Sequence, residues 1–220
     1  MRIGMITGVQ AEADAFCAGS AAERATLNRF DVRTLRHAGH DIHITCCGIG
    51  KVNAAMAAMT LAARGVDLLM IIGTAGKLSA LAGDCFNIVD AFQGDYGASR
   101  DDGFAHYNAG AWPIGPTTLS PFSAHALPDI GLPAARIVSG DCFVESAAHA
   151  ARLRDTFAAD LVDMETAALA QAATALGIPW AGIKATTDDA NGESGGDFQA
   201  NLARAACAAA DAAEQVIAKL

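Results

Sequence analysis

Short apolar runs alternate with alanine-rich stretches along most of this chain. Apolar runs of about 4 to 8 residues bounded by turn residues are typical of buried strands, and longer amphipathic or alanine-rich stretches are typical of helices. The pattern predicts strands over 2–7, 67–73, 85–92, 134–139 and 179–187, and a hairpin over 30–36 and 40–47. It predicts helices over 9–18, from the "GIGK" turn to Gly65, and over 146–158, 161–176 and 197–219.

Glycine-rich and polar segments separate these elements. "GTAGKL" is interpreted as a turn, and residues 94–128 as an irregular section rich in glycine and proline. Strands that alternate with helices predict an α/β domain around a largely parallel or mixed sheet. With no internal repeat or low-complexity linker, a chain of 220 residues is expected to form one domain over 1–220.

Composition narrows the classes of partner. The net charge of −9 argues against nucleic acid or an anionic membrane, because both need a positive surface. No apolar run approaches the roughly 20 residues of a membrane span, and the opening "MRIGMIT" lacks the pattern of a signal peptide. Six cysteines without CxxC spacing indicate a reducing cytoplasm.

The histidines give little reason to expect a metal. His40 and His43 differ in parity along a predicted strand, so they point to opposite faces. A closed zinc site needs three or four ligands that converge. We therefore expect neither a metal nor a cofactor.

Other motifs with known chemistry are incomplete. "GIGKVN" begins like a dinucleotide fingerprint, but Asn53 stands at the third glycine position, and "GTAGKL" lacks the spacing of a P-loop. There is no G-x-S-x-G elbow. Cys142 in "SGDCF" could be a nucleophile, but no histidine is placed near it by sequence, so a role as a buried small hydrophobic residue is favoured.

Three carboxylates remain, each after or beside a predicted strand end: Glu12, Glu165 and Asp188. Open α/β sheets bind ligands beyond the carboxyl ends of their strands. Three acids in a glycine-lined pocket suit cleavage of a glycosidic bond, in which one acid protonates the leaving group, a second activates water and a third holds sugar hydroxyls. A simpler interpretation of Glu165 alone is that it interacts with the positive end of a helix dipole.

Six segments occur in the order and spacing of the nucleoside phosphorylase/nucleosidase superfamily: "MRIGMITGVQAEAD", "GIGKVNAA", "IIGTAGKL", "IVSGDCF", "VDMETAALA" and "KATTDDAN". The chain resembles this family over nearly its whole length, and the similarity is greatest to the bacterial 5′-methylthioadenosine/S-adenosylhomocysteine nucleosidases. The resemblance implies a three-layer α/β/α sandwich around a twisted mixed sheet, a nucleoside substrate and a homodimer.

The resemblance also implies roles for the acids. Glu12 matches the glutamate that activates the attacking water, and Asp188 the aspartate that protonates the purine at N7. Glu165 and Met164 match the pair that holds the ribose, the carboxylate accepting bonds from the 2′- and 3′-hydroxyls. Buried in this way, the Glu165 charge would be paired with two donors.

The remaining expected substrate contacts are implied in the same way. Phe143 matches the aromatic residue stacked on the base, and Val144 offers backbone bonds to the base edge. Phe198 falls where an aromatic residue closes over the 5′ substituent. Thr74 and Thr187 stand where the family commonly has serines. Ile49 and Lys184 complete the expected substrate-binding residues.

Hydrolysis is favoured over phosphorolysis. The phosphorylases commonly carry a Gly-Asp-Pro-x-Arg segment after the first strand, whereas this chain has "TGVQAEAD" with Glu12 and no arginine. A carboxylate repels phosphate and helps a neutral water. Lys184, which stands where the nucleosidases have an arginine, could still touch an anion, so phosphorolysis stays open.

The substrate is open as well. Asp188 is the usual choice for 6-aminopurines, and "SGDCF" resembles the methylthioadenosine enzymes. Residues 94–115, with "GDYGA" and "DDGF", look more like futalosine hydrolase. A non-catalytic nucleoside-binding protein is a further alternative from another class.

Overall fold

A mixed β-sheet forms the centre of the molecule. In the computed structural model, which describes residues 1–116 and 118–220, ten strands join in this sheet and two more form a separate hairpin. The strands are β1 (Arg2–Thr7), β2 (Glu23–Leu27), β3 (Phe30–His37), β4 (His40–Cys46), β5 (Leu68–Lys77), β6 (Cys85–Gln93), β7 (Gly97–Arg100), β8 (Gly103–His106), β9 (Phe122–Ser123), β10 (Ala134–Ser139), β11 (Leu161–Asp163) and β12 (Trp180–Asp188). The helices are α1 (Gln10–Phe16), α2 (Lys51–Ala62), α3 (Ala147–Phe157), α4 (Thr166–Leu176) and α5 (Ser194–Ile217).

The strand order of the sheet is β11-β10-β6-β12-β5-β1-β4-β3-β2. Strand β1 is parallel to β4 and β5, and β12 is parallel to β5, so these four strands end at the same edge. Strand β6 is antiparallel to β12, while β10 is parallel to β6 and to β11. The predicted α/β fold with a mixed sheet is confirmed.

Helices cover both faces of the sheet. Successive side chains of a strand point to opposite faces, so each strand contributes to two buried clusters. On β5, Leu69 and Ile71 belong to the same buried cluster as α2 and α4. Leu68, Met70 and Ile72 belong to the cluster that includes α1 and α5. Alanines make up much of the buried faces of α2, α4 and α5, which lets these helices approach the sheet and each other closely.

The largest correction concerns residues 161–176, which were predicted as one helix. Leu161–Asp163 form strand β11, which pairs with β10 and with the end of β5, and the helix begins only at Thr166. Glu165 is the N-cap residue, but its side chain caps no backbone N–H. The side chain of Asp163 accepts the bond from Thr166 N at 3.1 Å instead.

The end of β5 is the second correction. "GTAGK" was predicted as a turn, but it continues β5 to Lys77, because Gly76 and Lys77 pair with Val162 and Leu161. Strand β2 was not predicted at all, since its residues are mostly exposed and polar. Helix α2 ends at Ala62, before the predicted end at Gly65, and α5 begins at Ser194 rather than 197.

The predicted irregular section over 94–128 contains the β7–β8 hairpin and the short strand β9. Thr117, which belongs to that section, lies outside the described residues. Within the part of the chain that the structure describes, none of the helices combines the length and the apolar character that crossing a membrane would require.

Candidate active site

A cavity of about 530 Å³ lies beyond the carboxyl ends of β1, β4, β10, β11 and β12 and beside β5. All three acids singled out in the sequence line it. Ten of the eleven expected site residues are among its lining residues: Glu12, Ile49, Thr74, Phe143, Val144, Met164, Glu165, Thr187, Asp188 and Phe198. The eleventh, Lys184, is not.

Glu12 lies in the first turn of α1, directly after β1, and is buried. Its Oε2 accepts hydrogen bonds from the backbone N–H groups of Gly8 and Val9, both at 3.0 Å. Its Oε1 accepts from the backbone N–H of Thr74 at 2.7 Å and from the Thr74 hydroxyl at 2.8 Å. Four protein donors therefore replace the water that a buried carboxylate loses.

Glu165 is held at the turn between β11 and α4. Its Oε1 accepts a bond from the N–H of Gly50 at 2.9 Å, at the start of α2. Burial, followed by the negative charge of Asp163, raises the pKa of Glu165 to about 7, while Lys184 and the Gly50 N–H oppose this rise. With one protein donor against four for Glu12, Glu165 has acceptor capacity left for a ligand.

Asp188 ends β12 and is also buried. Its Oδ2 accepts from the Thr187 hydroxyl at 2.8 Å and its Oδ1 from the N–H of Ala190 at 3.0 Å. The Thr187 hydroxyl also lies 3.4 Å from the carbonyl oxygen of Ala75. A hydroxyl has one proton, so turning it toward Ala75 would let it accept a bond from a protonated Asp188.

Glycine provides the space beside each acid. A Cβ atom on Gly73 would lie 2.5 Å from Glu12 Oε1, and Gly73 has φ +146°, where glycine is favoured. A Cβ on Gly76 would lie 3.0 Å from Asp188 Oδ1, and one on Gly8 would lie 3.2 Å from the Glu165 carboxyl carbon. The three acids thus pack directly against backbone.

An apolar wall completes the cavity. The rings of Phe143 and Phe198 lie 6.0 Å apart at 78°, in an edge-to-face arrangement, and Phe143 is 47% exposed. Phe143 and Val144 follow β10, and Phe198 lies in the second turn of α5. A flat ligand has room beside the exposed ring of Phe143.

Lys184 was expected to contact substrate, but it is not among the residues that line the cavity. It is 1% exposed, and its Nζ lies 3.0 Å from Oδ2 of Asp163, which does line the cavity. Lys184 and Asp188 are four residues apart on β12, but a register shift lies between them after Thr186, so simple alternation does not relate the directions of the two side chains. The sequence predicted no role for Asp163, although it lines the cavity and pairs with Lys184. The only feature of the sequence that could have indicated it is its place two residues before Glu165 in "VDMET".

The other lining residues were not predicted as site residues: Gly8, Val9, Ala75, Gly76, Cys142, Glu145, Val162, Asp163, Gly195 and Gln199. Cys142 was expected to be buried, but it is exposed. Among residues 1–116 and 118–220, no group of three or more His, Cys, Asp or Glu side chains is arranged to hold a metal ion.

The comparisons with known proteins agree with this fold. The sequence model of the phosphorylase superfamily matches residues 2–218, and the chain belongs to that superfamily. Among curated proteins, the 5′-methylthioadenosine/S-adenosylhomocysteine nucleosidase of Staphylococcus aureus (strain MRSA252) is 29% identical over 193 residues, covering 82% of each chain.

Two solved structures from Helicobacter pylori share the fold at a TM-score of 0.86. One is a 5′-methylthioadenosine/S-adenosylhomocysteine nucleosidase in complex with a pyrrolidine ligand, 22% identical, covering 100% of this chain and 99% of that one. The other is a futalosine hydrolase, also 22% identical, covering 100% of this chain and 98% of that one. Both known activities are thus found on this fold.

We expect Gly73→Ala to reduce the free energy of unfolding by about 1–3 kcal/mol, because the new Cβ must displace Glu12 and the backbone is held at a positive φ. Urea unfolding measures this. Gly196→Ala is the matched control, since a Cβ there meets nothing within 4 Å. Equal stability of the two variants would contradict the tight contact.

Glu165→Gln should stabilise the protein increasingly as the pH rises from about 4.5 to about 7. Over this interval the folded protein keeps a proton on Glu165 that the unfolded chain has released, so in the wild type this group loses stability with rising pH. The difference in free energy of unfolding between variant and wild type should grow by on the order of 3 kcal/mol between pH 5 and pH 8. A difference that is the same at both pH values would contradict the raised pKa.

Proposed function

We propose that the protein is a purine nucleoside N-ribosyl hydrolase. It cleaves the glycosidic bond of a 5′-substituted adenine nucleoside, 5′-methylthioadenosine or S-adenosylhomocysteine, to free base and a ribose derivative. The observation that carries the proposal is that Glu12, Glu165 and Asp188 line one cavity whose wall is apolar and aromatic. The named relatives and the family membership support it.

Glu165 and Met164 hold the ribose in this proposal. The carboxylate oxygens left free by the single bond from Gly50 accept from the 2′- and 3′-hydroxyls. The base stacks on the exposed ring of Phe143, and the backbone of Val144 meets its edge. Phe198, Ile49 and the neighbouring apolar surface enclose the 5′ substituent.

The reaction breaks the bond from C1′ to N9. Its electron pair stays with the purine, and Asp188 gives a proton to N7, while positive charge develops on the ribose. A water molecule forms the new bond at C1′, and Glu12 takes its proton. The carboxylates of Glu12 and Glu165 stabilise the positive ribose, because opposite charges attract strongly in a site without bulk water.

Thr74 regulates access to Glu12. All four acceptor positions of the Glu12 carboxylate are occupied, three of them by backbone N–H groups that cannot turn. The Thr74 hydroxyl is the one donor of the four that can rotate. We infer that it turns toward the ligand and frees Oε1 for the attacking water.

Hydrolysis is favoured over phosphorolysis by the charge of the cavity. Its described lining residues include no lysine or arginine, and the ammonium of Lys184 is already paired with Asp163 behind it. Phosphate would meet several carboxylates and no free cation, so its approach is unfavourable.

A second candidate is a futalosine hydrolase-like nucleosidase. It is favoured by the futalosine hydrolase that shares the fold and by the segments "GDYGA" and "DDGF" in 94–115. None of residues 94–115 lines the cavity of the single chain. A partner subunit could bring this segment to the 5′ end of the substrate.

We also propose a homodimer of one-domain subunits, residues 1–220, acting in the cytoplasm in methionine salvage. The dimer is supported by an apolar stripe on α2, formed by Val52, Met56 and Met59, which are 69%, 44% and 52% exposed. Ile49 extends the stripe to the rim of the cavity. A cytoplasmic location is supported by the six cysteines, all of which are free thiols.

The function is tested by the release of free base from 5′-methylthioadenosine, S-adenosylhomocysteine, futalosine and inosine. We expect the first two to be cleaved fastest, at equal rates with and without phosphate. Strict phosphate dependence would identify a phosphorylase, preference for futalosine the second candidate, and binding without release of base a nucleoside-binding protein.

In the same assay Asp188→Asn and Glu12→Gln should each lower turnover by roughly 10²- to 10⁴-fold while the nucleoside still binds, because each removes a proton-transfer group. Asp14→Asn is the matched control: it lies on the same helix as Glu12, but 56% exposed and outside the cavity. Near-normal turnover of Asp188→Asn would remove Asp188 as the proton donor.

The dimer is tested by Val52→Glu/Met56→Glu, which places two charges in the proposed interface. Sedimentation velocity should show a dimer for the wild type and a monomer for this variant, because unpaired buried charges are costly. Leu220→Glu changes an exposed apolar residue outside the stripe and should leave the dimer intact. A dimeric double variant would exclude α2 as the interface.

A further inference from the structure

Lys184 lies in the wall behind the cavity rather than in it. It is on β12, four residues before Asp188, and is one of the largest side chains with almost no exposed surface. Removing an ammonium group from water is unfavourable unless a negative group is close. Asp163 provides that group, with Oδ2 at 3.0 Å from Lys184 Nζ.

Asp163 connects this ion pair to the turn that carries Glu165. It accepts bonds from the hydroxyl of Ser139, the hydroxyl of Thr166 and the N–H of Thr166. Ser139 in turn accepts from the N–H of Ala167 at 2.9 Å. The two residues that follow Glu165 are therefore held by Asp163, the partner of Lys184, directly and through Ser139.

The charges around Lys184 come from several elements. Asp163 belongs to β11, Glu165 precedes α4 and Glu12 belongs to α1; the thiol of Cys47, which follows β4, lies close to Glu165 and Lys184. Burial would lower the pKa of Lys184, but Asp163, Glu165 and Glu12 together outweigh it and raise that pKa. Burial raises the pKa of the Cys47 thiol, so it stays uncharged.

We propose that Lys184 is a positioning residue: with Asp163 it sets the charge and the orientation of the ribose-binding Glu165 without touching the substrate. This inference rests on the proposed function. Asp163 and Lys184 act on Glu165 in opposite directions, since the nearby carboxylate favours the proton on Glu165 and the ammonium favours its loss.

The probe is 5′-methylthiotubercidin, an adenosine analogue with carbon in place of N7, which keeps the ribose diol but cannot take a proton from Asp188. Calorimetry between pH 5 and pH 9 gives its affinity for the wild type and for Lys184→Met, Asp163→Asn and the double variant. In the wild type we expect the affinity to rise with pH, with a midpoint at about 7, as Glu165 loses its proton.

Lys184→Met should move this midpoint upward by about one pH unit and Asp163→Asn should move it downward, since a charge near a carboxyl shifts its pKa by about 1–3 units. The double variant should return toward the wild-type midpoint. Because the double variant leaves no unpaired charge, the comparison between Asp163→Asn and the double variant measures the effect of Lys184 even if Lys184→Met alone does not fold. Equal midpoints for those two variants overturn the proposal.

Glu165→Gln separates this proposal from the proposed function. It should bind the analogue weakly and with no midpoint near 7. If the folded wild type does not bind the analogue, or if Glu165→Gln keeps the wild-type midpoint, the ribose-binding role of Glu165 fails. If Glu165→Gln behaves as expected while Asp163→Asn and the double variant share one midpoint, only the role of Lys184 fails.

Discussion

Carboxylates buried close together are the constraint on which this site depends. A negative charge removed from water must find donors or a cation inside the protein, and each further acid nearby makes this harder. The fold provides a different number of donors or cations to each of these acids. Glu12 has four donors, Asp163 has a lysine and three donors, and Glu165 has only one donor. The group with the fewest protein partners is the one with most capacity for a ligand.

Backbone, more than side chains, provides these partners. N–H groups of Gly8, Val9, Thr74, Gly50 and Ala190 reach the three cavity acids because the strands and turns that carry them meet at one edge of the sheet. Such donors are fixed before a ligand arrives, so they need little reorganisation during the reaction. Burial, followed by the negative charge of Asp163, raises the pKa of Glu165 against the single N–H donor of Gly50, so this position trades stability for binding capacity.

Much of the fold and the site could be predicted from residues that act locally. Strand β1, the β3–β4 hairpin and β12 followed from short apolar runs, and the position of the acids followed from the rule that ligands lie beyond strand ends. Strand β11 has three residues and owes its pairing to β10 and β5, so no local pattern could separate it from α4. The ion pair between Lys184 and Asp163 joins residues of two different strands, which sequence periodicity does not reveal.

Strand β5 continues through Thr74 and Gly76, and these two positions contact two of the three acids. Thr74 binds Glu12 and Gly76 packs against Asp188, and the two positions are one pleat apart on the same side of a single strand, or roughly 7 Å. The spacing between the strand positions that contact Glu12 and Asp188 is therefore set by the covalent geometry of β5. Ile49, Phe143 and Phe198 come from three separate segments instead, so the apolar wall of the cavity can change shape while the spacing of the two acids stays the same.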